Sequence, residues 1–437
     1  MVAPLTREMM LRSFRAQSRT VQVLLINELT IYLSFAMLYP YLALHFTRDL
    51  GFATWAVGLI LGIRTLSQQG LTVIGGTLAD RFSPKPVIIA GLALRTIGFG
   101  LFGLTDSFAG IMVAAILSGL AGALFSPALR AYLASESTGQ RAELFALSSV
   151  FGQTGSVTGP LLGVLLLRLS FAAVCLCAAG MFFLLMLLQL RYLPSRPRVS
   201  TGPARSVWQE WGEVARNRPF VLFSLAVVGY LVLYNQLYLG IPLEVSRLTG
   251  SDSVIGFIYI IPSLLTIGAQ VWVTARCRKR WRPPTAIAIG LALMGLAFVP
   301  ILLATPFLPR GTAGMGAAGA FATQALNLSP ILLGISLLAF GMMIAQPFSL
   351  ELIPRLARER LLGTYFGFYS VASAIGVTIG NTVTGVAFDA ARENGLLALP
   401  WLVMIAIGVA SGTATAILDR RGQLRGTGQL APLGAGD

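Results

Sequence analysis

The sequence predicts an all-α membrane protein: twelve transmembrane helices in two six-helix halves, with both termini in the cytoplasm. Three observations carry this. The 437-residue chain is 55% apolar and only 11% charged, with a mean hydropathy of +0.77. A soluble domain has about 25% charged residues, so a soluble enzyme of several domains is excluded. Twelve apolar segments approach the ~20 residues that a bilayer-crossing helix needs. Finally, 25 of the 32 Lys and Arg, which with 17 Asp and Glu give the net charge of +15, fall in the tails and one set of alternate loops.

The segments are 21–46, 55–79, 86–105, 109–133, 143–167, 170–192, 219–243, 254–275, 284–305, 330–352, 362–388 and 398–418. The first is too long for the apolar region of a cleaved leader, and no small-residue cleavage site follows it. The Gly/Ala-rich stretch 305–330 is mildly apolar and broken, and is expected to be a loop. An even number of spans puts both termini on one side. That side holds 25 Lys and Arg, in the N-terminal tail, the alternate loops, the centre and the tail. The other side holds five (Arg48, Arg168, Arg247, Arg310 and Arg392), and Arg64 and Arg95 lie within spans. The positive-inside rule then makes the basic side cytoplasmic. The basic excess is a topology signal that calls for no nucleic-acid partner. Three Cys and one His form neither a disulfide framework nor a metal-ligand spacing.

A polar linker rich in Arg, Pro and Ser divides the chain into an N-terminal half, 1–193, a linker, 194–218, and a C-terminal half, 219–437. The fifth and eleventh spans resemble each other at an offset of 221. Phe145/Phe366, Ser149/Ser370, Val150/Val371, Gly155/Gly376 and Gly159/Gly380 coincide, five identities in fifteen positions. Such an offset is what duplication of a six-helix unit leaves behind.

Two motifs carry more. Between the second and third spans runs Gly76-Thr-Leu-Ala-Asp80-Arg81-Phe-Ser-Pro-Lys85. The fifth span holds Gly155-x-x-x-Gly159-Pro160-x-x-Gly163. Its small residues at every fourth position make a flat stripe for close helix approach, and Pro160 removes a backbone donor. The first motif resembles the G-x-L-A-D-R-x-G-R-K loop of the major facilitator superfamily, with Ser83 for the second Gly and Pro84 for the first of the two basic positions. The second resembles the antiporter motif G-x-x-x-G-P-x-x-G-G of that family's drug exporters, with Val164 for the last Gly. The region 55–130 resembles most closely the MdtH-type multidrug exporters of the twelve-span drug:proton antiporter group. The resemblance implies the major facilitator fold, a bacterial inner-membrane location, a cytoplasmic latch at Gly76, Asp80, Arg81 and Lys85, and exchange of protons for drug. The family's span-4 Arg is missing, since Ala115 stands four residues before Gly119. A plain topology-setting loop and a generic packing stripe are the alternatives for the two motifs.

Charges within spans cost about 2.5–3.5 kcal/mol each on insertion scales, so Glu28, Arg64 and Arg95 are the candidate proton-coupling residues. Glu28 lies about two turns into the first span and could carry a proton, or else pair with Arg19 near the interface. Arg64 and Arg95 keep their protons. Each needs an acid or carbonyl partner, and Glu28–Arg95 and Glu28–Arg64 pairs are both open. Glu351, near the end of the tenth span, fits an interfacial role.

Polar and aromatic residues within spans are candidates for a substrate cavity: Tyr32, Phe35, Tyr39, Gln68, Gln153, Tyr234, Asn235, Gln236, Tyr238, Gln346, Phe368, Tyr369 and Asn381. Such a lining suits large amphiphilic ligands; helix packing and interface aromatics are the alternative. No P-loop, nucleophile elbow or metal motif occurs.

The expected function is therefore proton-coupled export of lipophilic or cationic drug-like compounds by alternating access. Protons are the coupling ion, and no cofactor is expected. The expected partners are a small-molecule substrate and the lipid bilayer, and the chain is expected to be a monomer. Export of one endogenous metabolite, sugar, siderophore or lipid is the alternative on the same fold. A non-transporting membrane sensor is the remote one.

Overall fold

The computed structural model describes residues 18–72, 78, 84–136, 141–194, 207–249, 253–304, 317–358 and 361–424. These are almost wholly helical, as apolar segments must be where no water can satisfy backbone N–H and C=O groups. In the first half the helices are α1 (Arg19–Leu44), α2 (Thr54–Gly70), α3 (Pro84–Leu104), α4 (Phe108–Glu136), α5 (Arg141–Leu167) and α6 (Phe171–Tyr192). A short α7 (Val207–Arg216) lies in the linker. The second half begins with α8 (Arg218–Ala226), α9 (Val228–Asn235) and α10 (Gly240–Thr249), which divide the seventh span into three pieces. There follow α11 (Ser253–Ile258), α12 (Ile260–Arg280), α13 (Pro283–Leu296), α14 (Val299–Ala304), α15 (Ala317–Leu356), α16 (Leu362–Asn394) and α17 (Leu399–Arg420). Among the described residues, eleven helical stretches are long and apolar enough to cross a membrane. The second predicted span is not among them, because the described α2 has 17 residues.

One sequence expectation is corrected. The stretch 305–330 was expected to be a loop, but α15 begins at Ala317 and runs 40 residues, straight through Pro330. Mild hydropathy argued against a span there, yet alanine is the best helix former, and a helix need not be wholly immersed. Residues 305–316 lie outside the described residues.

The chain forms two compact units. One comprises Met1–His45 and Ile63–Gly202, the other Phe46–Gly62 and Pro203–Asp437. In the first, α1 packs on α5, and α3 packs on α4 and α6. Ser18 and Ser170 cap α1 and α6, their hydroxyls accepting from the N–H groups of Val21 and Ala173 at 3.3 and 3.0 Å. In the second unit, α13 packs on α15 and α17, and α9 packs on α16.

The residues 46–62 belong to the second unit although they precede most of the first. They comprise most of a π-helical turn (His45–Asp49), a bend at Gly51 with φ +69°, and the first half of α2. Glycines explain the grouping. A Cβ on Gly62 would stand 2.6 Å from the Thr378 Cα, and one on Gly385 would stand 2.5 Å from the Trp55 Cα. Between them, a Cβ on Gly58 would run into the carbonyl of Asn381. Only residues without side chains let α2 and α16 lie this close.

The glycines shared by the repeat play matching parts. Gly155 and Gly159 of α5 press on Leu29, Leu33 and Ala36 of α1. Gly376 and Gly380 of α16 press on Val228 and Val232 of α9. The fifth span thus packs on the first as the eleventh packs on the seventh, each pair within its own unit.

A Cβ at Gly159 would lie 2.6 Å from both the Ala36 Cβ and the Leu33 carbonyl oxygen, whereas nothing lies within 4 Å of one at Gly268. Overpacking of this kind costs about 1–3 kcal/mol. Gly159→Val is expected to lower the detergent-solubilised melting temperature clearly and Gly268→Ala to leave it within error. Equal melting temperatures would contradict the packing described.

Candidate functional site

The intramembrane charges of the first unit converge on one face of α1. Glu28, Tyr32, Phe35 and Tyr39 follow at intervals of four, three and four, which stack along one side of a helix. Phe35 is the centre. The Arg95 guanidinium carbon lies 4.8 Å from its ring centroid and that of Arg64 lies 5.1 Å away. Arg64 also covers the Tyr39 ring at 4.2 Å and donates from Nη2 to Gln68 Oε1 at 3.0 Å.

Arg64 is held in place by α4. A Cβ on Gly119 would collide with the Arg64 carbonyl oxygen, and one on Gly122 would lie 2.9–3.0 Å from the Gln68 side chain. Where the family motif would have a basic residue four positions before Gly119, α4 instead offers small residues that bring α2 close.

Arg95 is only 2% exposed. Aromatic rings enclose it, with Phe125 at 5.2 Å and Phe182 at 5.5 Å besides Phe35. Phe99 braces the cage through edge contacts with Phe35 at 5.2 Å and Phe182 at 4.9 Å. Arg95 Nε and Nη1 find no hydrogen-bond partner among the described residues. The ring faces supply part of the missing stabilisation, about 0.5–2 kcal/mol each, and Glu28 and Tyr32 act on Arg95 electrostatically. The electrostatic effect of Glu28 on Arg95 favours the first of the two pairings open from the sequence.

Burial sorts the group further. Glu28, Phe35, Arg64 and Gln68 are half-buried, and Tyr32 is 48% exposed, lying over Gly152. Gln153 is also exposed. A half-exposed carboxylate and guanidinium within spans are costly against lipid, so this face of α1 and α2 is the natural wall of a polar cavity. Tyr39 is buried beneath Arg64.

The candidates of the second unit divide differently. Gln236 and Asn381 are fully buried and bonded to each other, Nε2 to Oδ1 at 3.3 Å. They clasp two helices and present no surface to a ligand. Asn235 donates back to the Leu231 carbonyl at 2.8 Å. Tyr234 and Tyr238 share a hydroxyl contact of 3.2 Å, and Tyr238 stacks on Tyr259 with centroids 5.8 Å apart. Phe368 packs against Phe220 and Trp211, joining α16 to the linker helix. Tyr369 is half-buried and Gln346 exposed.

Of the predicted latch, Gly76, Asp80 and Arg81 lie outside the described residues. Lys85 donates to the Leu190 carbonyl at 3.2 Å, a cation on the negative end of α6. The fifth-span motif faces α1: Gly155, Gly159 and Gly163 abut its backbone, and the Pro160 carbonyl accepts from the Tyr41 hydroxyl at 3.3 Å. Glu351 bridges Arg278, at 3.0 Å, and Arg355. Sequence reasoning missed Asn27, fully buried beside Glu28 with neither side-chain polar atom bonded among the described residues. An amide in an apolar span was its available signal. It also passed over Asp389, discussed below.

The described residues thus make a polytopic helical protein in two units, with charged side chains set within its spans. The sequence model of the Major Facilitator Superfamily matches residues 24–381, and the chain belongs to that superfamily. It is a transporter, not an enzyme. An uncharacterized MFS-type transporter of Mycobacterium tuberculosis is 38% identical over 408 residues, covering 93% of this chain and 94% of the relative. The multidrug resistance protein MdtH of Klebsiella pneumoniae is 32% identical over 400 residues, 91% of this chain and 94% of that one. Among solved structures, the POT family transporter PepTSo superposes with a TM-score of 0.73 at 13% identity, over 94% of this chain and 99% of that one. The nucleoside transporter NupG gives 0.73 at 13%, over 91% and 99%. At such identities the likeness is one of fold.

If Glu28 and Arg95 interact, their effects on stability are not additive. A double-mutant cycle with Glu28→Gln and Arg95→Gln is expected to show a coupling of about 0.5–3 kcal/mol in unfolding free energy. Additivity within about 0.3 kcal/mol would mean that the two charges do not sense each other.

Proposed function

We propose that the protein is a proton-coupled antiporter that exports lipophilic or cationic drug-like compounds across the bacterial inner membrane, working as a monomer with both termini in the cytoplasm. The observation that carries the reading is Glu28, a half-buried acid within a span, acting on a fully buried arginine, with the open ring of Tyr32 one turn away. One carboxylate cannot fully satisfy a proton and a cationic cargo at once. Competition between the two for Glu28 is the linkage that exchange requires. Tyr32, Phe35 and Gln68 provide apolar faces and one amide, contacts that tolerate many shapes. The similarity to MdtH proteins over nine-tenths of the chain supports the choice of cargo.

Purified protein in proteoliposomes, given a panel of unrelated dyes and antibiotics, is expected to move several of them at least about tenfold faster with an imposed pH gradient than without it. That ratio corresponds to about 1.4 kcal/mol of driving or barrier difference. Glu28→Gln is expected to abolish the gradient's effect while the protein still inserts. Gradient-driven flux that survives the substitution removes Glu28 from coupling, and movement of a single compound alone removes the multidrug reading.

A further inference from the structure

The C-terminal end of α12 carries the densest run of positive charge among the described residues. Five cations, Arg276, Arg278, Lys279, Arg280 and Arg282, fall within seven positions. Arg278 is held by the fold, its Nη2 donating to Glu351 Oε2 of α15 at 3.0 Å. The other four side chains are exposed and form no ion pair with the described residues. A cation in the last turn of a helix is favoured by the dipole. Four unpaired ones this close together also repel one another, and an anion lying among them relieves that repulsion.

These charges continue a face that is apolar further up the helix. Gly268, Trp272, Arg276 and Lys279 recur at intervals of four, four and three, so they lie on one side of α12. All four are exposed. Trp272 is 69% exposed and its neighbour Val271 82%, and nothing lies within 4 Å of a Cβ built at Gly268. Within the second unit α12 packs chiefly on α15, and it is the least buried of the eleven stretches able to cross a membrane. The face therefore has three levels. An open notch at Gly268 comes first, an indole ring one turn below it second, and cations one and two turns below the ring third. A Trp next to the charged end of a span marks the boundary between hydrocarbon and headgroups.

We propose that this face of α12 binds an anionic phospholipid of the cytoplasmic leaflet whose head carries two phosphates. An acyl chain lies in the notch at Gly268, and the head lies over Arg276, Lys279 and Arg280. The sidedness is that of the positive-inside rule; the proposal rests on that orientation, and neither on the cargo nor on the coupling ion. Charge selects the class of ligand. A zwitterionic head brings no net charge, and a head with one phosphate offsets one cation. A head with two can meet cations on successive turns, which stand about 6 Å apart along the axis at Arg276 and Arg280. The apolar surface selects the source. A soluble phosphate gains nothing from Trp272 and Val271, whereas a lipid covers both. Basic sites beside spans on this side of a membrane are suited to such heads.

The test needs no transported compound. Delipidated protein in detergent is titrated with cardiolipin, phosphatidylglycerol or phosphatidylcholine, and binding is read by native mass spectrometry and by melting temperature. Cardiolipin is expected to bind about tenfold tighter than phosphatidylglycerol and to raise the melting temperature, and phosphatidylcholine to do neither. Arg276→Gln, Lys279→Gln and Arg280→Gln together are expected to weaken cardiolipin binding about tenfold or more. The lipid-free melting temperature of that variant is expected to equal the parent's, since the three side chains are exposed. Arg276→Lys with Arg280→Lys keeps the charge and is expected to stay within about threefold of the parent. Arg420→Gln with Arg421→Gln removes two exposed cations from the end of α17 and is expected to change binding by less than about twofold. Equal weakening by the α12 and α17 variants would mean diffuse attraction to a basic surface. Equal affinity for the three lipids, or the same thermal shift from inorganic pyrophosphate, would mean that no such lipid site exists. Each of these results overturns the proposal.

Discussion

Close approach of helix backbones is the constraint on which this molecule depends. Hydrocarbon gives two helices no hydrophobic reason to associate, so van der Waals contact and a few polar bonds must hold them. Glycine is what lets those contacts form. It seats α5 on α1, α16 on α9, α4 on the Arg64 turn of α2, and the first half of α2 on α16. The positions of the charges follow from that seating. Arg64 covers Tyr39 because α4 can press on its backbone.

The charges themselves are managed in two ways. Arg95 is taken wholly out of solvent and walled by phenylalanines, at a cost that only packing and its nearby acid offset. Glu28 and Arg64 keep part of their surface open. Such a division separates a fixed cation, which sets the local field, from groups still able to exchange partners.

Much of this was legible in the sequence, for reasons that can be named. Low charge density follows from the physics of the bilayer, so the spans could be read from the apolar segments. Glycines at four-residue spacing announced a packing stripe at Gly155–Gly163, although not that α1 would occupy it. What stayed hidden were pairings across long separations. Gln236 and Asn381 each look like cavity residues alone, and only the fold shows that they are buried and bonded to one another. Asp389, near the end of a span, looks like an ordinary interfacial acid until Thr54 and Trp55 are brought to it. The start of α15 was misjudged because hydropathy reports what enters lipid, whereas helicity in an Ala-rich stretch does not need lipid.

That last helix has a further consequence. Forty residues at 1.5 Å each make a rod of about 60 Å, against a hydrocarbon core of about 30 Å. Even a steep tilt cannot immerse it. A sizeable part of α15 must therefore stand clear of the hydrocarbon, in a helix whose hydrogen-bond ladder Pro330, Pro347 and Pro354 interrupt. An antibody fragment or fiducial domain fused to its emergent turns would ride on a helix continuous with the transmembrane core, turning an oversized helix into a handle for imaging.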